Sequence, residues 1–169
     1  MARRFLHHDA AFEHFLRARR VPYLAVDEAR RTLLPVREGT PPASLKSFDF
    51  LVTLPERRLL IEVKGRTWNP RSSRLESWST LDDVEALRTW QRLLGQDALA
   101  ALVFVYSCPT EPPDVLFDEA FAFRGSWYGL RAVAIHDYAA RMRPRSERWG
   151  TVDVPPAAFA PLRVDLSRT

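Results

Sequence analysis

Cysteine is almost absent from this chain: Cys108 stands alone among 169 residues. No internal disulfide can form, and a zinc site built on paired thiolates is excluded. Long hydrophobic runs are missing as well. The longest, Ala98 to Tyr106, is far too short to span a bilayer and reads as a buried strand. Met1 to Asp9 carries positive charge with no apolar run behind it, so it does not read as a secretion signal. The expectation is a cytoplasmic protein with no membrane partner. Lysine is scarce too: of 25 basic residues only Lys46 and Lys64 are lysine. Arginine stays protonated whereas lysine is tuned by its surroundings, so each lysine is a candidate for a special role.

What is present points to a folded domain. A chain of this length with 46% hydrophobic residues can bury a real core. The expectation is one domain over 1–169, with a core at about 4–107 and a C-terminal hairpin, short helix and wrapping tail over 108–169. A formal charge of +4 and a pI near 9.7 suit a polyanionic partner, because neutralising phosphates releases counterions.

Apolar spacing places the elements. Phe5, Phe12, Phe15 and Leu16 share one side of a helix from Arg4 to about Arg20. Val21 to Val26 reads as a short strand, followed by a loop through Pro41 and Pro42. Two alternating runs follow, Phe48 to Leu54 and Leu59 to Lys64, joined by a tight turn at Pro55 and Glu56. Thr80 looks like a helix cap with Asp83 three places on, and the helix from Leu81 to Leu94 ends at Gly95. Ala98 to Tyr106 is a central strand, Phe121 to Ile135 a hairpin broken at Gly125 and Ser126, and Tyr138 the middle of a short helix. The proline-rich stretch from Val154 to Leu162 is expected to wrap over the surface. The order helix, strand, strand, strand, helix, strand predicts an α/β sandwich with a mixed central sheet.

The turn at Pro55 and Glu56 sets a register. Phe50 then faces Ile61, Val52 faces Leu59 and Phe48 faces Val63, which makes one face wholly apolar. The other face opposes Asp49 to Glu62, Leu51 to Leu60 and Ser47 to Lys64. Opposed Cβ atoms lie roughly 5 Å apart, where like charges normally destabilise. Two facing carboxylates need a reason, and a divalent cation with oxygens at about 2.1 Å supplies one. Lys64, on the same face as Glu62, could position a metal-bound water and stabilise charge growing on phosphorus.

Asp49, twelve intervening residues, then Glu62-Val63-Lys64 resembles the signature of the PD-(D/E)XK nucleases, which include restriction enzymes, junction resolvases and recombination nucleases. The proline usually written before the Asp is Phe48 here, a departure that touches no ligand. The resemblance implies a restriction endonuclease-like three-layer α/β/α sandwich. It implies Mg2+, with Mn2+ as a substitute, held by Asp49, Glu62 and the backbone carbonyl of Val63, with Lys64 assisting the attacking water. Many members add a Glu from the first helix, for which Glu13 is the candidate. The implied reaction is hydrolysis of DNA, or of RNA, and a homodimer would be compatible with it. The alternative is a catalytically inactive member serving as a nucleic-acid-binding or assembly module. His7, Ala11, Phe12 and Glu13 also resemble a group of bacterial proteins named for the motif HYExAFE, which brings no established activity; His8 and Asp9 replace its Tyr and first Glu.

Other residues carry weaker signals. Gln91 falls on the apolar face of its helix with Val84, Leu87 and Leu94, and either supports the active site or bonds to backbone. Asp82, Asp83 and Glu85 are explained by the positive end of their helix. His7, His8 and His14 contain no i, i+4 pair and do not read as a metal cluster. Arg66, Arg71 and Arg74 beside the hairpin, and Arg141, Arg143, Arg145 and Arg148 farther on, could track a phosphate backbone while Trp78 or Trp149 stacks on bases.

Overall fold

The computed structural model describes residues 6–27, 29–72 and 74–166, so Phe5 and the expected start of the first helix at Arg4 lie outside the described residues. Helix α1 spans Leu6–Ala18. Its stripe of Phe12, Phe15 and Leu16 is buried against one face of the central sheet, each such side chain contributing about 1.5–3 kcal/mol by leaving water. Arg20, at φ 56, turns the chain out of the helix.

Six strands form the central sheet: β1 (Tyr23–Ala25), β2 (Phe50–Thr53), β3 (Arg58–Thr67), β5 (Ala98–Cys108), β6 (Glu119–Phe123) and β7 (Ser126–Ala134). They lie in the order β1-β2-β3-β5-β7-β6. Only β3 and β5 run parallel; the remaining neighbours are antiparallel, so the sheet is mixed. A parallel pair needs a crossover, and helix α2 (Leu81–Leu94) supplies it. The Thr80 hydroxyl accepts the Asp83 amide at 3.1 Å to start α2, and Gly95, at φ 93, ends it where a side chain would strain the backbone.

The expected register is present. Phe50 pairs with Ile61, Leu51 with Leu60 and Val52 with Leu59. Alternation then divides the core: Phe50, Val52, Leu59, Ile61 and Val63 pack under α1, while Leu51 and Leu60 pack under α2. Phe48 corrects the expectation. It does not continue the Phe50 face but joins the α2 layer, edge-on to Trp90 at 5.6 Å between ring centroids. The reason is that β2 begins only at Phe50 and the chain bends at Asp49, which breaks the alternation.

The α2 layer also holds α3 (Ile135–Arg141) and α4 (Pro156–Phe159) through the buried Tyr138 and Phe159. A second sheet, absent from the expected elements, joins β4 (Ser79–Thr80), β9 (Thr151–Asp153) and β8 (Arg143–Ser146) in that order. β4 and β9 are too short for alternation to repeat, and β8, Arg-Pro-Arg-Ser, carries no alternating apolar side chains, so no period marks them in the sequence. The proline-rich end also departs from expectation. Val154, Phe159 and Leu162 are buried rather than laid over the surface, and the buried Arg131 on β7 donates to the carbonyls of Phe159, Ala160 and Leu162 at 2.9, 3.1 and 3.0 Å. No helix among the described residues is long and apolar enough to cross a membrane.

Where α1 crosses β3 the fit depends on one missing side chain. A Cβ on Gly65 would lie 2.4 Å from Nδ1 of His8. Gly65→Ala should therefore cost about 1–3 kcal/mol by overpacking, read as a lower urea midpoint. The loss should shrink in a His8→Ala background, where the ring that it strikes is gone.

Candidate active site

Strand alternation carries Glu62, Lys64 and Arg66 out of β3 on the side that Leu60 shows to α2. Pairing of Glu62 with Leu102 and of Lys64 with Phe104 on β5 holds this row straight. Asp49 arrives from the neighbouring strand. Its amide donates to the Ile61 carbonyl at 2.9 Å, and its Oδ2 accepts the Val63 amide at 2.7 Å. The β2 ladder has ended there, so the Asp49 carboxylate takes a strand amide that would otherwise lack a partner.

Lys64 Nζ donates to Glu62 Oε1 at 3.1 Å and to Asp83 Oδ2. Lys46 forms an ion pair with the other oxygen of Asp83. The only two lysines of the chain thus close on one carboxylate, itself 4% exposed. Burial alone would raise the Asp83 pKa, but the Lys64 charge and hydrogen bonds from Lys46, Lys64 and Thr80 hold it below the usual carboxylate range.

The other acids respond in the opposite sense. Burial, and then the Asp49 charge, lifts Glu62 well above the ordinary range despite Lys64. Burial also lifts Asp49, against the stabilising Val63 hydrogen bond. Asp9, on α1, is pushed up to about 6 by burial and by Glu62, with Lys64 opposing. Four carboxylates (Asp9, Asp49, Glu62, Asp83) and two ammonium groups (Lys46, Lys64) therefore share one region, and fully ionised they sum to a net charge of −2.

Such a donor set suits a hard divalent cation. Carboxylate oxygens of Asp49 and Glu62, with the carbonyl of Val63 directly after Glu62 in sequence, are the ligand types that magnesium takes. A cation would supply the positive charge that these acids lack. Among the described residues, no three His, Cys, Asp or Glu side chains already converge as a ready cage; Lys64 stands between Glu62 and Asp83.

Two candidates stand elsewhere. The Glu13 carboxylate accepts from the Tyr23 hydroxyl at 2.7 Å and from Arg17 at 3.1 Å, while Asp9, one helical turn earlier, faces the cluster instead. Gln91 uses its amide oxygen to accept the Ala100 amide at 2.7 Å, which is the backbone alternative. Asp9, Asp83 and Lys46 were not singled out for the site from the sequence. The signals available for Asp9 are its position one helical turn before Glu13 and its place where the HYExAFE motif has its first Glu. For Lys46 the signal is the rarity of lysine.

The candidate nucleic-acid contacts divide in a similar way. Arg66 is 8% exposed, with its guanidinium donating to the Gly65 carbonyl at 2.7 Å and to the Trp78 carbonyl, so it braces the interior. Arg74 and Arg143 both bond to Asp153, at 3.3 and 3.0 Å. Arg71 and Arg145 are exposed, as is Trp149 at 70% beside Arg148.

No protein-family model and no curated protein matches this chain. Among solved structures, the Holliday junction resolvase Hjc of Archaeoglobus fulgidus aligns over 96% of this chain and 96% of its own, with a TM-score of 0.51 and 17% identity. The likeness is one of fold, and the fold is restriction endonuclease-like.

His8 sits buried beside the cluster. Its Nε2–H donates to the Arg66 carbonyl at 3.0 Å, and burial, followed by the neighbouring His7, lowers its pKa from 6.5 to about 4. Between those two values the unfolded chain binds a proton that the folded one does not, so the contribution of His8 to stability falls as pH falls. The full effect is about 3 kcal/mol. The unfolding free energy of the wild type relative to His8→Gln, from urea titrations, should drop by that order between pH 7 and pH 4. A constant difference would show that His8 titrates alike in the folded and unfolded chain.

Proposed function

We propose that this chain is a divalent-cation-dependent nuclease that hydrolyses phosphodiester bonds of DNA. The observation that carries this reading is the largely buried cluster of four acids and Lys64, with the exposed Lys46 at its edge, built on Asp49 and Glu62-Val63-Lys64. A protein gains nothing in stability by burying like charges beside one another. The arrangement makes sense where a cation completes it.

In this reading Asp49, Glu62 and the Val63 carbonyl hold Mg2+, or Mn2+ in its place. When bound, the ion supplies Lewis acidity to the phosphodiester and acidifies water. The chain's own residues do the rest. Asp49 keeps its carboxylate in place through the Val63 amide. Lys64, held between Glu62 and Asp83, has an ammonium placed to orient the attacking water and to stabilise charge developing on the phosphoryl oxygens. Asp9, raised toward neutrality, is suited to accept or pass a proton near that water. DNA is favoured over RNA as substrate because the fold is shared with Hjc, a Holliday junction resolvase.

Incubation with supercoiled plasmid should give nicked product with Mg2+ or Mn2+ and none with EDTA. Lys64→Ala and Glu62→Gln should each lower the rate by about 100-fold or more while circular dichroism shows the fold retained. A wild type that is inert toward DNA and RNA with both metals, yet binds either in a salt-sensitive way, would replace the enzyme with a nucleic-acid-binding module on the same fold.

A further inference from the structure

Beyond the acidic cluster, the same strand leads to a second concavity. Thr67, three residues past Lys64 and about 10 Å along β3, lies on the rim of a cavity of about 440 Å³ whose walls include Asn69, Ser72, Glu76, Trp78 and Arg145. Its volume is in the range of small-ligand sites.

The aromatic wall is built and braced. Arg66 stacks on the Trp78 ring at 3.8 Å from its centroid and holds the Trp78 carbonyl as well. The backbone of that wall is pinned from behind: the Tyr106 hydroxyl donates to the Glu76 carbonyl and the Tyr138 hydroxyl to the Ser77 carbonyl, both at 2.6 Å. Ser77 Oγ bonds in turn to Val154 O at 3.0 Å. The surface is thus preformed rather than waiting for a ligand to order it.

The cations around the cavity are not equivalent. Arg74 and Arg143 are both engaged by Asp153, and Arg66 is buried on carbonyl groups. Arg145 is exposed, lies 5.2 Å from the Trp78 ring centroid, and has no carboxylate partner among the described residues. A guanidinium held near an aromatic ring with no anion to neutralise it is suited to phosphate through its N–H edge and to a flat base against its open face. Hydrogen-bonding edges are also at hand. The Asn69 side-chain oxygen Oδ1 accepts the Arg71 backbone amide at 2.9 Å, which leaves the side-chain Nδ2 as a donor, and the Glu76 carboxylate is an exposed acceptor.

We infer that this cavity is a subsite for one unpaired nucleotide of a DNA substrate, with the base on the Trp78–Arg145 wall and its phosphate on Arg145. A base in a duplex has its hydrogen-bonding edge covered and its faces stacked, so it enters a concave site only after leaving the helix. A stacked strand covers the distance from Lys64 to Thr67 in about three nucleotides. The assignment rests on the nuclease reading for its relation to the cut and adds a substrate class to it: DNA with an unpaired segment within a few nucleotides of the scissile phosphate.

The test separates the two ideas. Fluorescence anisotropy in EDTA, where nothing is cut, compares a 12-nucleotide single strand, a blunt hairpin duplex and the same hairpin with a four-nucleotide 3′ or 5′ extension. The wild type should bind the single strand and at least one extended hairpin about 10-fold more tightly than the blunt one, and Trp78→Leu should remove that preference. Arg145→Gln, at an exposed position that leaves folding alone, should weaken binding and reduce the log-log salt slope by about 0.7. Equal binding of blunt and unpaired DNA, or an unchanged preference in both variants, would overturn the inference. Plasmid nicking without the preference would leave the nuclease reading standing alone; the preference without cleavage under Mg2+ would leave the subsite and remove the nuclease.

Discussion

Four cross-strand pairs between β2 and β3, from Phe50 with Ile61 to Thr53 with Arg58, decide which side of β3 each side chain enters, and the rest of the molecule is arranged around that decision. In this register Ile61 and Val63 lie under α1, while Glu62 and Lys64 meet Asp83 at the start of α2. A slip by one residue would drive a Glu and a Lys into the layer of Phe12 and Leu16 and lift two aliphatic side chains out of it. Each aliphatic loss costs about 1.5–3 kcal/mol, and an unpaired buried charge costs more. The apolar core therefore enforces the position of the acidic cluster.

The cluster sits where regular structure stops. β2 begins only at Phe50, the chain bends just before it at Asp49, and Phe48 swings to Trp90 in the opposite layer. The Asp49 carboxylate then satisfies the Val63 amide. Helix α2 begins with the Thr80 cap and presents Asp83 in its first turn, where the helix dipole favours an anion and two lysines reach it. Ladder end and helix start meet beside the same strand. Neither end alone would gather six ionisable groups, and the negative excess left after pairing is what makes the site look incomplete without a cation.

Local patterns in the sequence were readable wherever a period repeats over several residues. The stripe of α1, the two alternating runs, the Thr80 cap and the Gly95 stop all emerge from spacing and backbone chemistry, and the structure has them. The small second sheet was not readable, because strands such as Ser79–Thr80 are too short for the alternation to repeat. Phe48 misled because its alternation with Phe50 continues across a bend that the pattern does not reveal. The buried tail misled for a different reason: prolines suggest loop, but the Arg131 guanidinium reaching the carbonyls of Phe159 to Leu162 is a long-range contact.

The register of the hairpin from Phe50 with Ile61 onward, and with it the exit of Glu62 and Lys64 on one face of β3, follows from the sequence alone, since strand alternation is a local rule that a buried apolar face makes strict. The remainder of the cluster comes from packing between elements. Asp9 rather than Glu13 faces Glu62, because the side of α1 that turns inward is set by how the helix crosses the sheet and by the ring of His8 over Gly65. Asp83 and Lys46 join because a crossover helix and a loop, 19 and 18 residues from Lys64 in opposite directions along the chain, fold back onto one strand. Contacts between elements depend on packing in three dimensions, and no spacing along the chain encodes them.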